Sequence, residues 1–320
     1  LKLNVKISTK IQNLETYLKI KLEFWSLKTL NMGKNNLKWY LLAFLGCVWG
    51  SSFILMQLGL KGVNPIQLGA LRIIFAGIFL LIIGFKHLTK IPSYKWKYIA
   101  LTALCGTFVP VFLFATALSK IDGSISSILN SLTPLNTLLV GLLFFKIPVE
   151  RRQFFGVGLG FVGCVLLVLF GNGHGSTENH LYAVLIVVAS LFYGTNVNLI
   201  KKYLSDLHPL TISAGNFAIM IIPALGVLYF SDFFTIVEEP KVQTSLLFIC
   251  ILGMVGTGIS NIIFFKLIQI SSPVFASSVT YIIPVVAIFL GTVFMEESMN
   301  VMQIFGAIVV LIGVYFSSRK

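Results

Sequence analysis

Six small or polar residues in one apolar stretch have the spacing of a single helix face. Gly123, Ser126, Asn130, Thr133, Thr137 and Gly141 step by threes and fours through GSISSILNSLTPLNTLLVGLLFF, residues 123–145. The stretch exceeds the roughly 20 residues that a helix needs to span a bilayer. Inside a membrane such a stripe offers neutral hydrogen bonds to a polar solute, though helix-to-helix packing uses the same residue types. Pro134 falls mid-span. There it removes a backbone donor and kinks the helix. A second copy, PVFASSVTYIIPVVAIFLGTVFM, occupies residues 273–295. Pro284 matches Pro134, Thr280 matches Asn130, Ser277 matches Ser127 and Gly291 matches Gly141, all 150 residues apart. A polar-striped helix that occurs twice, hinged at Pro134 and Pro284, marks a passage through a membrane.

Other polar groups fall at similar depth in apolar runs: Trp49, Ser52, Thr107, Tyr193, Asn196, Thr257, Ser260, Asn261, Thr280 and Tyr281. Tryptophan and tyrosine present flat faces to rings or cations. The expectation is that Asn130, Asn196 and Tyr281 face one shared cavity, with Trp49 and Tyr193 as aromatic walls, joined by Ser52, Asn261 and Thr280. Arg72 is the one strong charge inside a run, seven residues past Pro65, or roughly 10 Å along a helix. A central arginine costs about 2.5–3.5 kcal/mol to insert and usually faces protein or water. Three roles stay open for it: snorkelling or bracing a helix end, binding an anionic substrate, or pairing with an outer-loop acid as a gate.

An enzyme is poorly served by these residues. No carboxylate lies deep in an apolar run, and His87, His174, His180 and His208 sit in loops or at run ends. Catalytic dyads and metal sites need converging carboxylates, histidines or cysteines. Cys47, Cys105, Cys164 and Cys250 lack CxxC spacing and read as reduced packing residues. No metal and no cofactor are expected. Gly158, Gly160 and Gly163 match GxGxxG, but the dinucleotide fingerprint needs a strand before it. Here, with Gly156, they form a small-residue face for close helix packing.

The elements that must hold these residues follow from composition. Of 320 residues 57% are hydrophobic and 11% charged, with mean hydropathy +0.92. Soluble domains carry roughly 25% charged residues, so the chain is an all-α integral membrane protein. Ten transmembrane helices are expected at about residues 39–60, 65–85, 96–119, 123–145, 152–171, 181–203, 209–230, 244–268, 273–295 and 300–318. The net charge of +13 sits in short loops and an N-terminal arm, a pattern of membrane orientation rather than of nucleic-acid binding. Residues 1–37 form that basic extension, and Met32 reads as the true start of translation. The alternative for the arm is an amphipathic helix on anionic lipid.

The chain also repeats itself. Trp49-Gly50 aligns with Tyr193-Gly194 and Asn64-Pro65 with His208-Pro209, 144 residues apart. Gly106-Thr107 aligns with Gly256-Thr257, 150 residues apart. Residues 38–171 and 181–320 are thus two five-helix repeats, joined by an outside linker at 172–180. Five is odd, so the second repeat is inverted relative to the first. Lysines 86, 90, 95, 97, 146, 201 and 202 and arginines 151 and 152 fall in loops on one side. The positive-inside rule then puts both termini in the cytoplasm.

On these residues the chain resembles the drug/metabolite transporter superfamily, EamA type. The likeness rests on Trp49-Gly50-Ser51-Ser52-Phe53, on Leu71-Arg72, and on the paired patterns SISSILNSLTPLNTLLVGLLFF and ASSVTYIIPVVAIFLGTVFMEE. It covers nearly everything after Met32. The resemblance implies two EamA repeats around a central cavity open alternately to each side. It implies that the first, third, fourth, sixth, eighth and ninth spans line that cavity. One departure is that the fourth span ends in Lys146, where such repeats carry an acid like Glu296. The expected function is transport of small polar metabolites, foremost export of amino acids or related compounds. A sugar or phosphorylated-metabolite importer or exchanger is the alternative, and an integral membrane enzyme the competing class. Expected partners are the lipid bilayer and a small-molecule substrate, with no nucleic acid. The expected protein is a monomer or homodimer in the plasma membrane, a bacterial inner membrane in particular.

Overall fold

Prolines set the starts of several helices. Pro65, Pro209, Pro240 and Pro273 each stand at the beginning of a helix, where the missing N–H costs nothing and the fixed φ suits the first turn. Asn64 completes the first of these starts. Its Oδ1 accepts from Gln67 N at 2.9 Å while Gln67 Oε1 accepts from Asn64 N at 3.0 Å, a reciprocal cap. The His208 ring takes the same role before Pro209, with its Nδ1 accepting from Leu210 N at 3.2 Å.

A computed structural model describes residues 34–121, 123–169, 180–294 and 301–318. Most of the 1–37 arm with its Met32 start, most of the 172–180 linker, His174, and the acids Asp122, Glu178, Glu296 and Glu297 lie outside the described residues. The helices are α1 (Lys34–Gly59), α2 (Pro65–Leu88), α3 (Ser93–Leu118), α4a (Gly123–Asn130), α4b (Thr133–Phe145) and α5 (Arg151–Leu169). They continue with α6 (180–204), α7 (Pro209–Tyr229), α8 (Pro240–Ile270), α9a (Pro273–Ser277), α9b (Val279–Phe294) and α10 (Val301–Ser318). Residues 42–320 cluster as one unit; residues 1–41, of which the described part is the opening of α1, cluster as another.

Among the described residues six helices are long and apolar enough to cross a membrane: α1, α2, α3, α6, α7 and α8. The fourth and ninth expected spans are each broken in two. In α4 the break falls at Ser131–Leu132, just before Pro134. The proline strips Asn130 O of its helical donor, and Thr133 Oγ1 replaces it by donating to that carbonyl at 2.7 Å. In α9 the break falls at Ser278, and Pro284 lies inside α9b. Pro284, lacking an N–H, leaves Thr280 O without its helical donor downstream of that interruption. Ser278 Oγ donates to Phe275 O at 2.7 Å there, and such local bonds compete with the helical ladder.

Small residues let the helices approach closely, and they do so in matched pairs. Added Cβ atoms would meet Val286 side-chain carbon at 2.7 Å on Gly50, and Thr137 N at 2.8 Å on Gly194. Gly50 and Gly194 are repeat equivalents, so α1 lies on α9b as α6 lies on α4b. Likewise Gly256 packs on Ser52 and Gly106 on Asn196, which crosses α1 with α8 and α6 with α3. Each repeat thus inserts its first helix against the third and fourth of the other. The glycine face of α5 meets α10: a Cβ on Gly163 would lie 2.7 Å from Val310 N, and one on Gly313 2.4 Å from Gly160 N. Contact at that range is backbone to backbone, as in membrane helix pairs generally.

At one end of the bundle α6 and the turn after it fasten several neighbours. Lys201 Nζ donates to the carbonyls of Ile268, Gln269 and Ser271 at 3.1, 3.2 and 2.7 Å, closing the C-terminus of α8. Lys202 Nζ donates to Phe145 O at 3.0 Å, at the end of α4b. Cations there meet the negative pole of each helix. Tyr98 stacks on Tyr203 with centroids 4.2 Å apart. Lys95 pairs with Asp206, and its hydrogen bond holds the Asp206 carboxyl below the usual carboxylate range.

Candidate functional site

The paired helices enclose a cavity of about 110 Å³, room for several waters or part of a small solute. Its walls come from α1, α3, α4, α6, α8 and α9, and α2 adds only Arg72. Eight of the nine expected site residues line it: Trp49, Ser52, Arg72, Asn130, Tyr193, Asn196, Asn261 and Thr280. Asn130 and Thr280 are repeat equivalents, as are Trp49 and Tyr193, and Ser52 and Asn196. The cavity therefore sits where the two repeats meet.

Tyr281 corrects the expectation. Its side chain is fully buried and turned away from the cavity. The ring lies over Gly160 of α5, and the hydroxyl donates to Val157 O at 2.8 Å. Neighbouring helix positions are about 100° apart, so Tyr281 cannot share the direction in which Thr280 faces. Pro134 stands at the start of α4b, one turn past Asn130 and beside Thr133, which lines the cavity.

Widened π-helical turns shape two walls. They occupy Leu104–Phe108 and Leu252–Ile259, around the repeat-equivalent pairs Gly106-Thr107 and Gly256-Thr257. Such turns concentrate at functional sites. In α8 the Ser260 N–H bonds the carbonyls of Val255 and Thr257 and passes over Gly256. The Trp49 indole fills that gap, with Nε1 donating to Gly256 O at 3.0 Å. Trp49 also meets Phe264 edge-to-face at 5.0 Å. Asn196 lies face-on against Gly106, and its Oδ1 has no hydrogen-bond partner among the described residues. The hydroxyls of Ser52 and Thr280 turn back to Val48 O and Ser277 O, at 2.7 and 3.0 Å.

Arg72 reaches across to the other repeat. Its Nε donates to Thr257 Oγ1 at 2.6 Å, and Nη1 approaches Met56 Sδ at 3.8 Å. Among the described residues no carboxylate pairs with it. The repeat-equivalent Asn216 is buried away from the cavity, sharing a 2.9 Å hydrogen bond with Thr102. Among the described residues no three histidines, cysteines or carboxylates converge on a metal site.

The apolar part of the lining, notably Met56, Phe114 and Phe264, lies outside the residues expected at the site. A signal existed for Phe264: with Thr257 and Asn261 it forms an i, i+4, i+7 row, one face of a helix.

Comparison with known proteins agrees with this architecture. The model of the EamA-like transporter family matches residues 37–169 and again residues 180–319. Protein PecM of Dickeya dadantii is 25% identical over 283 residues, covering 86% of this chain and 92% of that relative. The uncharacterized inner membrane transporter YedA of Escherichia coli K12 is 25% identical over 293 residues, covering 85% and 90%. An S-adenosylmethionine/S-adenosylhomocysteine transporter of Chlamydia muridarum is 24% identical over 261 residues, covering 78% and 82%. One crystal structure superposes with a TM-score of 0.66 at 16% identity, covering 87% of this chain and 95% of the other. That likeness concerns the fold alone.

Proposed function

Because the chain belongs to the EamA-like transporter family, we propose that it exports small polar metabolites, amino acids or related compounds, by alternating access of the central cavity. The observation that carries this reading is the cavity itself. Repeat-equivalent residues line it, and both interrupted helices reach it. Irregular backbone at membrane depth is tolerated where protein or water receives it, and inverted repeats expose a shared site to each side in turn. The reading includes ten membrane spans in two inverted repeats, cytoplasmic termini, and a plasma-membrane location. The double family match supports the repeats. Trp49, Ser52, Arg72, Asn130, Tyr193, Asn196, Asn261 and Thr280 are the proposed substrate contacts. A relative named for S-adenosylmethionine transport favours solutes with an amino-acid head. Phosphorylated metabolites are a second reading, which rests on Arg72 alone.

The test compares metabolites inside and outside cells with and without the protein, together with cysteine labelling at Ser176 and Lys90. Export predicts intracellular accumulation of the solute in cells that lack the protein. It also predicts labelling of the two cysteines from opposite faces by an impermeant thiol reagent. Unchanged metabolite pools would defeat the export reading, and labelling from one face would defeat the inverted topology.

A further inference from the structure

Among the described residues the charge of the cavity is unbalanced. Arg72 is the one residue that α2 sends into it, and the acids among the described residues all lie in loops or turns. An unpaired cation in a low-dielectric site carries a desolvation penalty that an incoming anion relieves. Its orientation is fixed. Nε is held by Thr257 Oγ1 at 2.6 Å, and that hydroxyl is itself tied to Leu252 O at 3.3 Å across the widened turn of α8. One further N–H faces the Met56 thioether, a weak acceptor. Guanidinium carries five N–H groups in a planar fork, so three remain, all on the two Nη atoms. Those atoms form an end-on edge suited to two parallel bonds with a carboxylate.

Among the described residues the opposite half adds no second cation. Asn216, at the position equivalent to Arg72, is buried against Thr102 and does not line the cavity. One fixed charge balances a monoanion and leaves half of a phosphate dianion uncompensated. We propose, building on the transport reading above, that Arg72 is a specificity-determining anchor for the carboxylate of the solute. The cavity accordingly selects small monocarboxylates, zwitterions included, over the corresponding amides, which lack the carboxylate. Thr257 is the positioning residue that aims the guanidinium.

The test uses the purified full chain and binding read by thermal stabilisation, with paired probes: lactate against lactamide, and phenylalanine against phenylalaninamide. Wild type should respond to at least one acid at roughly tenfold lower concentration than to its amide, the scale of a charge-assisted hydrogen bond. Arg72→Gln should lower the acid response to that of the amide and so erase the preference, and Arg72→Lys should retain part of it. Preference for phenylalanine alone or for lactate too separates zwitterions from simple acids, and both outcomes support the anchor. An arginine that only braces helices would lower acid and amide responses together, which overturns the proposal. Equal responses in wild type, no response to any acid, or an acid preference that survives Arg72→Gln overturn it as well. In each of those cases metabolite export measured in cells remains an independent result, so loss of the anchor and loss of the transport function are told apart.

Discussion

Gly106→Ala tests whether the cavity depends on the crossing of the two repeats. A Cβ at Gly106 would lie 2.4 Å from Asn196 Nδ2, 2.6 Å from Cγ and 2.7 Å from Oδ1. Ordinary contact begins near 3.4 Å, so the amide must retreat by about 1 Å, toward the cavity or off α3. Overpacking of this kind costs about 1–3 kcal/mol. Gly158 supplies a matched control, since nothing lies within 4 Å of a Cβ built there. Both variants gain helix propensity, up to about 1 kcal/mol, so their difference isolates the clash. The repeat itself suggests the rescue: the residue equivalent to Asn196 is Ser52, which faces Gly256. Gly106→Ala with Asn196→Ser should recover most of the lost stability. The assay is the thermal midpoint of the solubilised full chain, with flux in vesicles as a second readout. A Gly106→Ala variant as benign as Gly158→Ala, or a double variant no better than the single, would show that the cavity does not depend on this crossing.

Two further outcomes are expected. Tyr281→Phe should cost about 1 kcal/mol of stability through the lost bond to Val157 O and leave solute selectivity unchanged; a shift in selectivity would return Tyr281 to the cavity. Asp206→Asn should cost about 1 kcal/mol near neutral pH, since it leaves the buried Lys95 ammonium without its carboxylate. The folded-state pKa of Asp206 is depressed. The pair's contribution is therefore present above the unfolded value of about 4 and lost as pH falls through the lower folded value. The gap between wild type and Asp206→Asn should hold from pH 5 to 8 (roughly the range above both pKa values) and close only in stronger acid. Thermal midpoints across that range check it, and a gap that closes near neutrality would point to a histidine instead.

The class of the protein, its internal repeat and most of the residues that gather at the centre can be read from the letters of the chain. These properties are local or periodic. Apolar composition is additive along the chain, stripes at helical spacing mark faces, and offsets of 144 and 150 residues are visible in the letters. Proline starts such as Asn64-Pro65 are equally local, because cap and first turn lie within four residues. How neighbours on one helix divide their directions follows instead from packing between distant helices. Thr280 faces the cavity and Tyr281 faces Gly160, and nothing in the stripe separates them until α5 is in place. The tertiary structure also placed the interruption of α9 at Ser278, upstream of Pro284 and out of register with the break in α4, which falls just before Pro134. The partner of Arg72 lies 185 residues away on a turn whose widening has no sequence period. That turn opens where Ser52 and Trp49 of the other repeat press on Gly256, a contact between distant segments that no local pattern encodes.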